Sequence, residues 1–389
     1  MKFITNVTAQ AHDEFVKQSP LNHLLQSSTW AKVKDNWSSK IVGVTNDDDE
    51  LIASSLVLIK TLPLGFTMYY APRGPIMDYH NQDLVSFFFK EFKKFAKKDH
   101  ALFIKIDPAI LVESSEPVIS NLKQVGADWL GLTKNMSDTI QPRFNAVIYK
   151  EDFSEDNLSK KTRQFLNKAK RSEPIVEIGS ISLIPEFCEL MRKTEIRKDI
   201  SLRNAEYYQK LLEQYPQDAF ITLTRIDLGK LLSNYQADLM KISNDIDKIT
   251  NNKKLKAVNL EIENIQKNMS ELSAIIKEHG EVVPASCELC INSGGAAETL
   301  YGGTDITFQK YYPSYLTWYE TINTAFNKGA RTVNMGGVEN SLSKDDGLLR
   351  FKKHFNPQIE EYIGEFNIPV NGLLYKLSNL AYNRRKHKK

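Results

Sequence analysis

The chain has 389 residues, of which 41% are apolar and 25% are charged, a composition typical of folded globular proteins. This length predicts about two or three domains, and the composition excludes a wholly disordered chain. Lys and Arg number 51 against 48 Asp and Glu, so the net charge of +3 excludes a histone-like polycation but permits a local basic surface.

The start of the chain and its cysteines indicate a cellular compartment. The segment MKFITNVTAQAHDEF lacks the apolar core of a secretory signal peptide, and no segment has the roughly 18 consecutive apolar residues of a membrane helix. Three cysteines, Cys188, Cys287 and Cys290, are an odd number that fits a reducing environment. We therefore expect a cytoplasmic protein, with contact at a membrane surface left open.

Residues 1–150 have the pattern of an α/β subdomain. The segments IVGVT, LIASSLVLIK and TMYYAPRGP are predicted strands, LVSFFFKEFKKFAKK is an amphipathic helix, and ALFIKID is a buried strand. Asp107 ends that last strand, where α/β folds often place chemistry, although a carboxylate that caps a loop explains it equally well.

A strongly basic helix is predicted next, within a region from 159 to 215 that has a helical pattern throughout. The segment KKTRQFLNKAKR contains six Lys or Arg and no acid: Lys160, Lys161, Arg163, Lys168, Lys170 and Arg171. A solvated helix face is the simplest interpretation. Six uncompensated charges in a nearly neutral chain nevertheless favour an anionic partner, which the pattern leaves open as RNA, a pyrophosphate or an anionic lipid. The C-terminal NRRKHKK is a second basic cluster, suited to an anionic membrane surface.

Residues 228–279 carry two runs of heptad spacing. Apolar residues alternate at intervals of four and three from Leu228 to Ile249 and again from Leu255 to Ile276, with the polar TNNKK between. The break predicts two helices that fold back as an antiparallel coiled-coil arm, and it disfavours the alternative of a long intermolecular coiled coil.

The part after the arm returns to an α/β pattern. ASCELCINSG and AAETLYGGT are predicted to form a hairpin, PSYLTWYETINTAFNKG a helix, and ARTVNMGG a strand. The order of strand, glycine-containing turn, helix and strand repeats that of the first part, and 33 residues separate Gly74 from Asp107 and Gly303 from Gly336. We assign 151–227 together with 280–389 to a second subdomain of the same kind.

Familiar cofactor and metal motifs are missing from the sequence. There is no GxxxxGK[ST] and no GxGxxG after a strand, and the single CxxC at Cys287 and Cys290 has no second ligand pair. On a strand these two thiols would lie on opposite faces, as buried structural residues do.

Several segments, in order along nearly the whole chain, resemble the FemABX family of non-ribosomal peptidyltransferases, and most closely its MurM-like branch. They are LLQSSTWAKVK, TLPLGF, PRGPIMDY, IDP, DTIQPR, KTEIRKDISLRNAEYY, LYGGT, NMGGVENS and FKKHFNPQIEEYIGEF. The resemblance implies two tandem GNAT-like (N-acetyltransferase-like) subdomains with an inserted helical arm. Similar arms occur on seryl-tRNA synthetases, which suggests tRNA contact.

The resemblance also implies an activity. Family members transfer an amino acid, alanine or serine in the MurM-like branch, from aminoacyl-tRNA to the stem-peptide lysine of a peptidoglycan precursor. The acceptor is lipid II or UDP-MurNAc-pentapeptide, which implies peripheral contact with the inner membrane surface. Because an aminoacyl ester is already activated, we expect neither a metal nor a cofactor.

The family motifs imply a set of site residues. Lys34, Arg203, Tyr207 and Tyr301 are expected to bind the precursor, with Arg203 and Tyr207 at its phosphate. Asp107 is expected near the acceptor amine, and Phe351 and Lys352 at the tRNA ester. The basic helix at 160–171 suits tRNA or the lipid pyrophosphate.

Two other functions fit parts of the pattern. A GNAT-type acyltransferase that uses acyl-CoA would keep the fold, but its Q/RxxGxG/A pyrophosphate loop is missing from the sequence. A non-catalytic RNA-binding module would explain the basic helix and the arm, but not the acceptor-side motifs.

Overall fold

A computed structural model describes residues 1–246 and 249–386, without the side chains of residue 379 and residues 381–386. The side chains of the basic segment 383–389 therefore lie outside the described residues.

The strands are β1 Lys2–Ile4, β2 Ser38–Thr45, β3 Leu51–Thr61, β4 Thr67–Ala71, β5 Ile76–Met77, β6 Ala101–Ile106, β7 Asp128–Trp129, β8 Phe144–Tyr149, β9 Pro174–Gly179, β10 Ala219–Asp227, β11 Val282–Ser293, β12 Ala296–Thr304, β13 Thr332–Val338, β14 Gln358–Glu361 and β15 Phe366–Pro369.

Helices cover both sheets and form the arm. They are α1 Ala9–Gln18, α2 Ser28–Val33, α3 Gln82–Lys98, α4 Glu116–Gln124, α5 Lys160–Lys170, α6 Ile184–Lys198, α7 Ala205–Gln214, α8 Leu228–Asp245, α9 Asn252–His279, α10 Pro313–Asn327, α11 Gly347–Lys353 and α12 Gly372–Lys386. In the part of the chain that the structure describes, no helix combines the length and the apolar character needed to cross a bilayer.

The strands form two mixed sheets. The first has the order β1-β2-β3-β4-β6-β15-β7, with β5 beside β3, and the second has the order β14-β8-β13-β12-β11-β10-β9. Each sheet contains a parallel pair joined by a crossover helix: β4 and β6 through α3, and β12 and β13 through α10. This repeated β-α-β unit confirms the internal duplication and the expected mixed α/β fold of two GNAT-like subdomains.

The boundary between the subdomains differs from the expected one. Strand β8 lies before residue 150 but pairs with β13 and β14 in the second sheet. Strand β15 lies within 280–389 but pairs with β6 and β7 in the first sheet. Its Phe366 and Ile368 are fully buried in the first core. Burial against a distant sheet decides where each strand belongs, and the local sequence pattern does not contain that information.

The region between 159 and 215 is not helical throughout. Strand β9 lies between α5 and α6 and pairs with β10 at the edge of the second sheet. Over part of β9, half-buried and exposed residues alternate along the strand, because successive side chains of a strand point to opposite faces of the sheet.

The arm consists of α8 and α9, whose first and last turns pack together. The backbone N–H of Leu228 donates to the carbonyl of Glu281 at 2.7 Å, and Leu228, Leu231 and Leu272 share one buried cluster at the base. Asn251 caps α9 by accepting from the backbone N–H groups of Lys253 and Lys254. The two helices therefore run antiparallel within one chain, as the heptad spacing predicts.

The cysteines occupy the positions that their spacing predicts. Cys287 is buried in the cluster on one face of β11, and Cys290 is buried in the cluster on the opposite face. Both are packing residues of the second subdomain.

Candidate active site

Four residues expected to bind the precursor form one cluster. Lys34 ends α2, Tyr207 lies in the first turn of α7, and Tyr301 lies on β12. The Lys34 ammonium donates to the Tyr207 hydroxyl at 3.3 Å, and its Nζ lies 5.4 Å from the centre of that ring. The Arg203 guanidinium lies 5.2 Å from the same ring, and the Tyr207 and Tyr301 ring centroids are 6.1 Å apart. We call these four residues the cationic cluster.

The cationic cluster concentrates positive charge. Burial, together with the nearby Arg203 charge, lowers the pKa of Lys34 to about 8. Among the described residues, no acid forms an ion pair with Lys34 or Arg203. Two neighbouring cations without a protein counter-ion suit an anionic group such as a phosphate.

Asp107 follows β6 and is only 1% exposed. Its Oδ2 accepts from the Tyr70 hydroxyl at 2.8 Å, and its Oδ1 accepts from the backbone N–H of Arg73 at 2.6 Å. Burial raises the pKa of Asp107 to about 6, and the Arg73 charge opposes that rise. The side chain is therefore an oriented carboxyl whose protonation changes near neutral pH.

Trp37 connects the cationic cluster with Asp107. Its backbone N–H donates to the carbonyl of Lys34 at 2.9 Å, and its ring centroid lies 6.4 Å from that of Tyr70. Because Tyr70 also donates to Asp107, two aromatic residues, Trp37 and Tyr70, link the backbone of Lys34 to the carboxyl.

Lys352 is 4% exposed near the end of α11. Its ammonium donates to the carbonyl oxygens of Gly336 and Gly337, both at 2.9 Å. Burial lowers the pKa of Lys352 to about 8, and the charge of Glu288 opposes that fall. An ammonium has three N–H donors, so one remains for a substrate.

Phe351 belongs to an aromatic group that holds α11. Its ring centroid lies 5.1 Å from that of Tyr315, 6.4 Å from Trp318 and 5.7 Å from Phe355. These contacts fix the helix that carries Lys352.

Asp107 and Lys352 are joined through intermediate residues. Within the described residues, no hydrogen bond or ion pair connects them directly. The Arg73 guanidinium donates to the carbonyl of Pro142 at 2.9 Å, and Pro142 packs so closely against Gly337 that a Cβ there would lie 2.5 Å from its ring. A chain of contacts through Arg73, Pro142 and Gly337 thus links the two predicted catalytic groups across the subdomains.

The basic helix α5 lies beside the helix that carries Lys352. The Thr162 hydroxyl donates to the carbonyl of His354 at 3.0 Å, and Thr162, Leu166 and Ala169 form the buried face. Lys170 pairs with Glu155 at 3.1 Å, so its charge is compensated. Four of the expected contact residues are exposed without an ion-pair partner among the described residues: Lys160, Lys161, Lys168 and Arg171. Arg163 is half-buried and lies 3.9 Å from Asp156.

Sequence analysis missed three charged residues of this region. Arg73 connects Asp107 to Pro142, and Glu365 pairs with Lys105 and raises the pKa of Asp107. Glu288, between the two cysteines, is 6% exposed and interacts with the charge of Lys352. The only sequence signal for Glu288 is an acid within an otherwise apolar strand pattern, which is unusual for a buried position.

Metal ligation has no support in the described part of the chain, where no group of three or more His, Cys, Asp or Glu side chains could hold an ion. The residues of the site offer instead two lysines, two arginines, tyrosines and one oriented carboxyl.

Comparison with known proteins gives a consistent result. The model of the FemAB family matches residues 7–383. Aminoacyltransferase FemA of Staphylococcus aureus (strain bovine RF122 / ET3-1) is 28% identical over 407 residues, covering 96% of this chain and 97% of the relative, and FemA of strain MRSA252 matches equally well.

Solved structures agree with this result. The crystal structure of FemX superposes with a TM-score of 0.80 at 28% identity, covering 97% of this chain and 99% of that one. The C-terminal domain of a lysylphosphatidylglycerol synthetase from Agrobacterium fabrum, at 11% identity and a TM-score of 0.51, shares the fold. The expected family and the expected aminoacyltransferase class are confirmed. The chain belongs to the FemAB family.

Proposed function

We propose that this enzyme transfers an amino acid, alanine or serine, from aminoacyl-tRNA to the stem-peptide lysine of lipid II during peptidoglycan cross-bridge synthesis. The observation that carries the proposal is the arrangement of the site. One chain of contacts, through Trp37 and Tyr70, runs from Lys34 to Asp107, and another, through Arg73, Pro142 and Gly337, runs from Asp107 to Lys352, which lies beside an exposed basic helix. An anionic acceptor and an anionic donor would thus approach a common centre from opposite ends.

The acceptor end fits a phosphate-bearing precursor. Lys34 and Arg203 supply the charge, and Tyr207 and Tyr301 supply hydroxyl groups and flat apolar faces beside it. Arg suits bidentate binding of phosphate oxygens. In this arrangement the stem peptide extends past Trp37 towards Asp107.

Asp107 acts on the acceptor amine. Aminolysis needs a neutral amine, and lysine is protonated at neutral pH with a pKa near 10.4. A carboxylate at this position orients the incoming amine and accepts or relays its proton. Tyr70 and the backbone of Arg73 hold the carboxylate in place.

Lys352 acts on the ester. Attack on the aminoacyl ester places negative charge on the tetrahedral oxygen and then on the departing ribose oxygen. The unused N–H of Lys352 donates to one of these oxygens, and removal of such a donor typically costs about 10²–10³-fold in rate. Gly336 and Gly337 fix the ammonium before the substrate arrives, so little reorganisation is needed.

The exposed charges of α5 suit the tRNA acceptor stem. Lys160, Lys161, Lys168 and Arg171 present an uncompensated surface next to α11. We infer a cytoplasmic enzyme that works at the inner membrane face, because a lipid-linked acceptor is anchored there.

The test is transfer of radiolabelled alanine, serine and glycine from their charged tRNAs. Each donor is offered with lysine-containing lipid II, with UDP-MurNAc-pentapeptide, or with lipid II that already carries a branch. Label in the lipid product supports the proposal and identifies the donor. Acetyl-CoA with the same acceptors tests the alternative of an acyl-CoA-dependent enzyme. Folded protein that is silent with every tRNA donor, or active with acetyl-CoA alone, contradicts the proposal.

A further inference from the structure

Glu288 is a buried acid that the functions described above do not use. It lies on β11, is 6% exposed, and has no hydrogen-bond or ion-pair partner among the described residues. A carboxyl group buried without a partner is costly, because its hydration is lost without replacement. Such a group indicates that another partner, supplied from outside the chain, completes the site.

The surrounding backbone gives Glu288 its position. Glu288 pairs across the sheet with Gly302 of β12, and a Cβ at residue 302 would overlap its carboxylate. The carboxylate therefore lies directly over the glycine of the neighbouring strand. Any residue other than glycine at 302 would displace it.

This position is close to the place where β12 and β13 diverge. Their parallel pairing ends at Glu298 and Asn334. Beyond it, the carbonyl oxygens of Gly336 and Gly337 accept from Lys352. The Lys352 ammonium lies 3.6 Å from where a Cβ of Gly336 would be. One diverging strand, β12, thus carries the glycine that lies under the acid of β11, and the other, β13, carries the glycine beside the ammonium of α11.

The two charges interact without touching. No ion pair within 4 Å joins Glu288 to Lys352 among the described residues, yet each charge acts on the pKa of the other. Asp346 is the other acid that acts on Lys352; its Oδ1 caps α11 by accepting from the backbone N–H of Leu348, and its Oδ2 is buried without a hydrogen bond. Of these two acids, Glu288 is the one that lies over the sheet, at Gly302, with neither oxygen hydrogen-bonded among the described residues.

We infer that the Glu288 carboxylate binds the α-ammonium group of the aminoacyl donor while Lys352 faces its ester. The inference rests on the proposed function. The ammonium of an aminoacyl ester lies two bonds from the ester carbonyl carbon, so a residue that positions the ester must tolerate a cation nearby. Lys352 would repel that cation, as would Lys198, whose charge acts on both Lys352 and Glu288, and a carboxylate beside Lys352 offsets the repulsion.

Burial raises the pKa of Glu288 well above its usual range, because the ionised carboxylate loses its hydration. Arrival of an ammonium favours the carboxylate, because the pair then shares a charge-assisted hydrogen bond. The subsite therefore selects donors that carry an α-amine.

The experiment compares alanyl-tRNA with lactyl-tRNA, which has a hydroxyl in place of the α-amine. Wild-type enzyme is expected to prefer alanyl-tRNA in kcat/KM. Glu288→Gln is expected to reduce that preference by about 10- to 100-fold. The kcat/KM should fall with alanyl-tRNA and change little with lactyl-tRNA. A merely structural role, or a role only in the charge of Lys352, would lower transfer from both donors equally.

Glu298→Gln is the control, because Glu298 is a half-buried acid of the neighbouring strand β12 whose pKa burial also raises, to about 7, but which lies 3.4 Å from the His23 ring nitrogen. It is expected to keep the wild-type donor preference whatever its effect on the overall rate. Thermal unfolding shows whether each variant is folded. The inference is overturned if active wild-type enzyme does not distinguish the two donors. It is also overturned if the Glu288→Gln variant keeps the wild-type preference. Neither result affects the proposed function. Wild-type protein inactive with both donors contradicts the proposed function instead.

Discussion

The backbone N–H of Arg73 donates a 2.6 Å hydrogen bond to Oδ1 of Asp107, and Arg73 adopts a left-handed backbone with φ of 53°. Non-glycine residues adopt this conformation rarely, and in folded proteins it often occurs where the surrounding structure requires it. Here the amide donates to Asp107 and the guanidinium donates to Pro142, two residues before β8. One residue thus connects the carboxyl of the first subdomain with the contact that leads to Lys352.

Lys352→Met should abolish transfer while the fold is retained. The change removes the ammonium but keeps an unbranched apolar stem, and we expect a loss of about 10²-fold or more in kcat. It also leaves the carbonyls of Gly336 and Gly337 without their donor, at a cost of about 1–3 kcal/mol in unfolding free energy. Transfer assays with circular dichroism measure both effects. Lys353→Met, at an exposed neighbour, is the control and should be fully active. Activity of Lys352→Met near that of wild type would exclude the proposed role.

The wild-type pH profile should fall on its acidic side near pH 6. As the pH decreases through the Asp107 pKa of about 6, the carboxylate gains a proton and loses its ability to accept one from the amine. Tyr70→Phe should move this limb to higher pH by about one unit, because the lost hydrogen bond had stabilised the ionised form. The measurement is kcat/KM against pH, with Asp107→Asn expected to lose the limb together with most of the activity. An acidic limb at the same pH in all three proteins would contradict this assignment.

On the alkaline side, activity should decline above about pH 8. The pKa values of Lys352 and Lys34 are both about 8, so the positive charges at the ester and at the acceptor phosphate are both lost as the pH rises through that value. The same kcat/KM series extended to pH 9.5 checks this expectation, with donor ester hydrolysis measured separately at each pH. A rate that keeps rising in proportion to the neutral acceptor amine would show that the Lys352 charge is not required.

Lys34→Met should weaken acceptor binding more than it slows the chemical step. The methionine keeps an unbranched apolar stem, whereas the charge next to Arg203, the cation-π contact with Trp30 and the bond to Tyr207 are lost. We expect the acceptor KM to rise about 10- to 100-fold with a smaller change in kcat. Steady-state kinetics with UDP-MurNAc-pentapeptide and with lipid II are the measurement. Lys32→Met, on the same helix but exposed, is the control. A large loss in kcat at unchanged KM would place Lys34 at the reacting centre instead.

Neutralising two charges of the basic helix should weaken tRNA binding and its dependence on salt. For Lys161→Gln combined with Lys168→Gln, the slope of log affinity against log salt should fall by about one for each lost phosphate contact. Fluorescence anisotropy with labelled tRNA from 50 to 300 mM salt checks this, and lipid II binding should stay unchanged. Lys97→Gln with Lys98→Gln, exposed on α3 of the first subdomain, is the charge-matched control. If the two double variants weaken tRNA binding equally, the attraction between tRNA and the protein is non-specific.

Local patterns in the sequence determined much of the architecture. The heptad spacing from 228 to 276 gives the two helices of the arm, because a helix places such residues on one stripe. The repeated strand-helix-strand order gives the two β-α-β units. The spacing of Cys287 and Cys290 gives opposite faces of β11, since side chains alternate along a strand. Each of these features depends on residues close together in the chain.

Only the tertiary structure decided which sheet two of the strands join and how the residues of the site are arranged. Strand β8 joins the second sheet and strand β15 joins the first, each opposite to its expected subdomain. Strand pairing depends on burial against residues that are distant in the sequence. The contact from Arg73 to Pro142 and the position of Glu288 over Gly302 depend in the same way on side chains brought together from separate elements. Burial then sets the protonation of Asp107 and Lys352, since hydration is lost only when the surrounding elements pack.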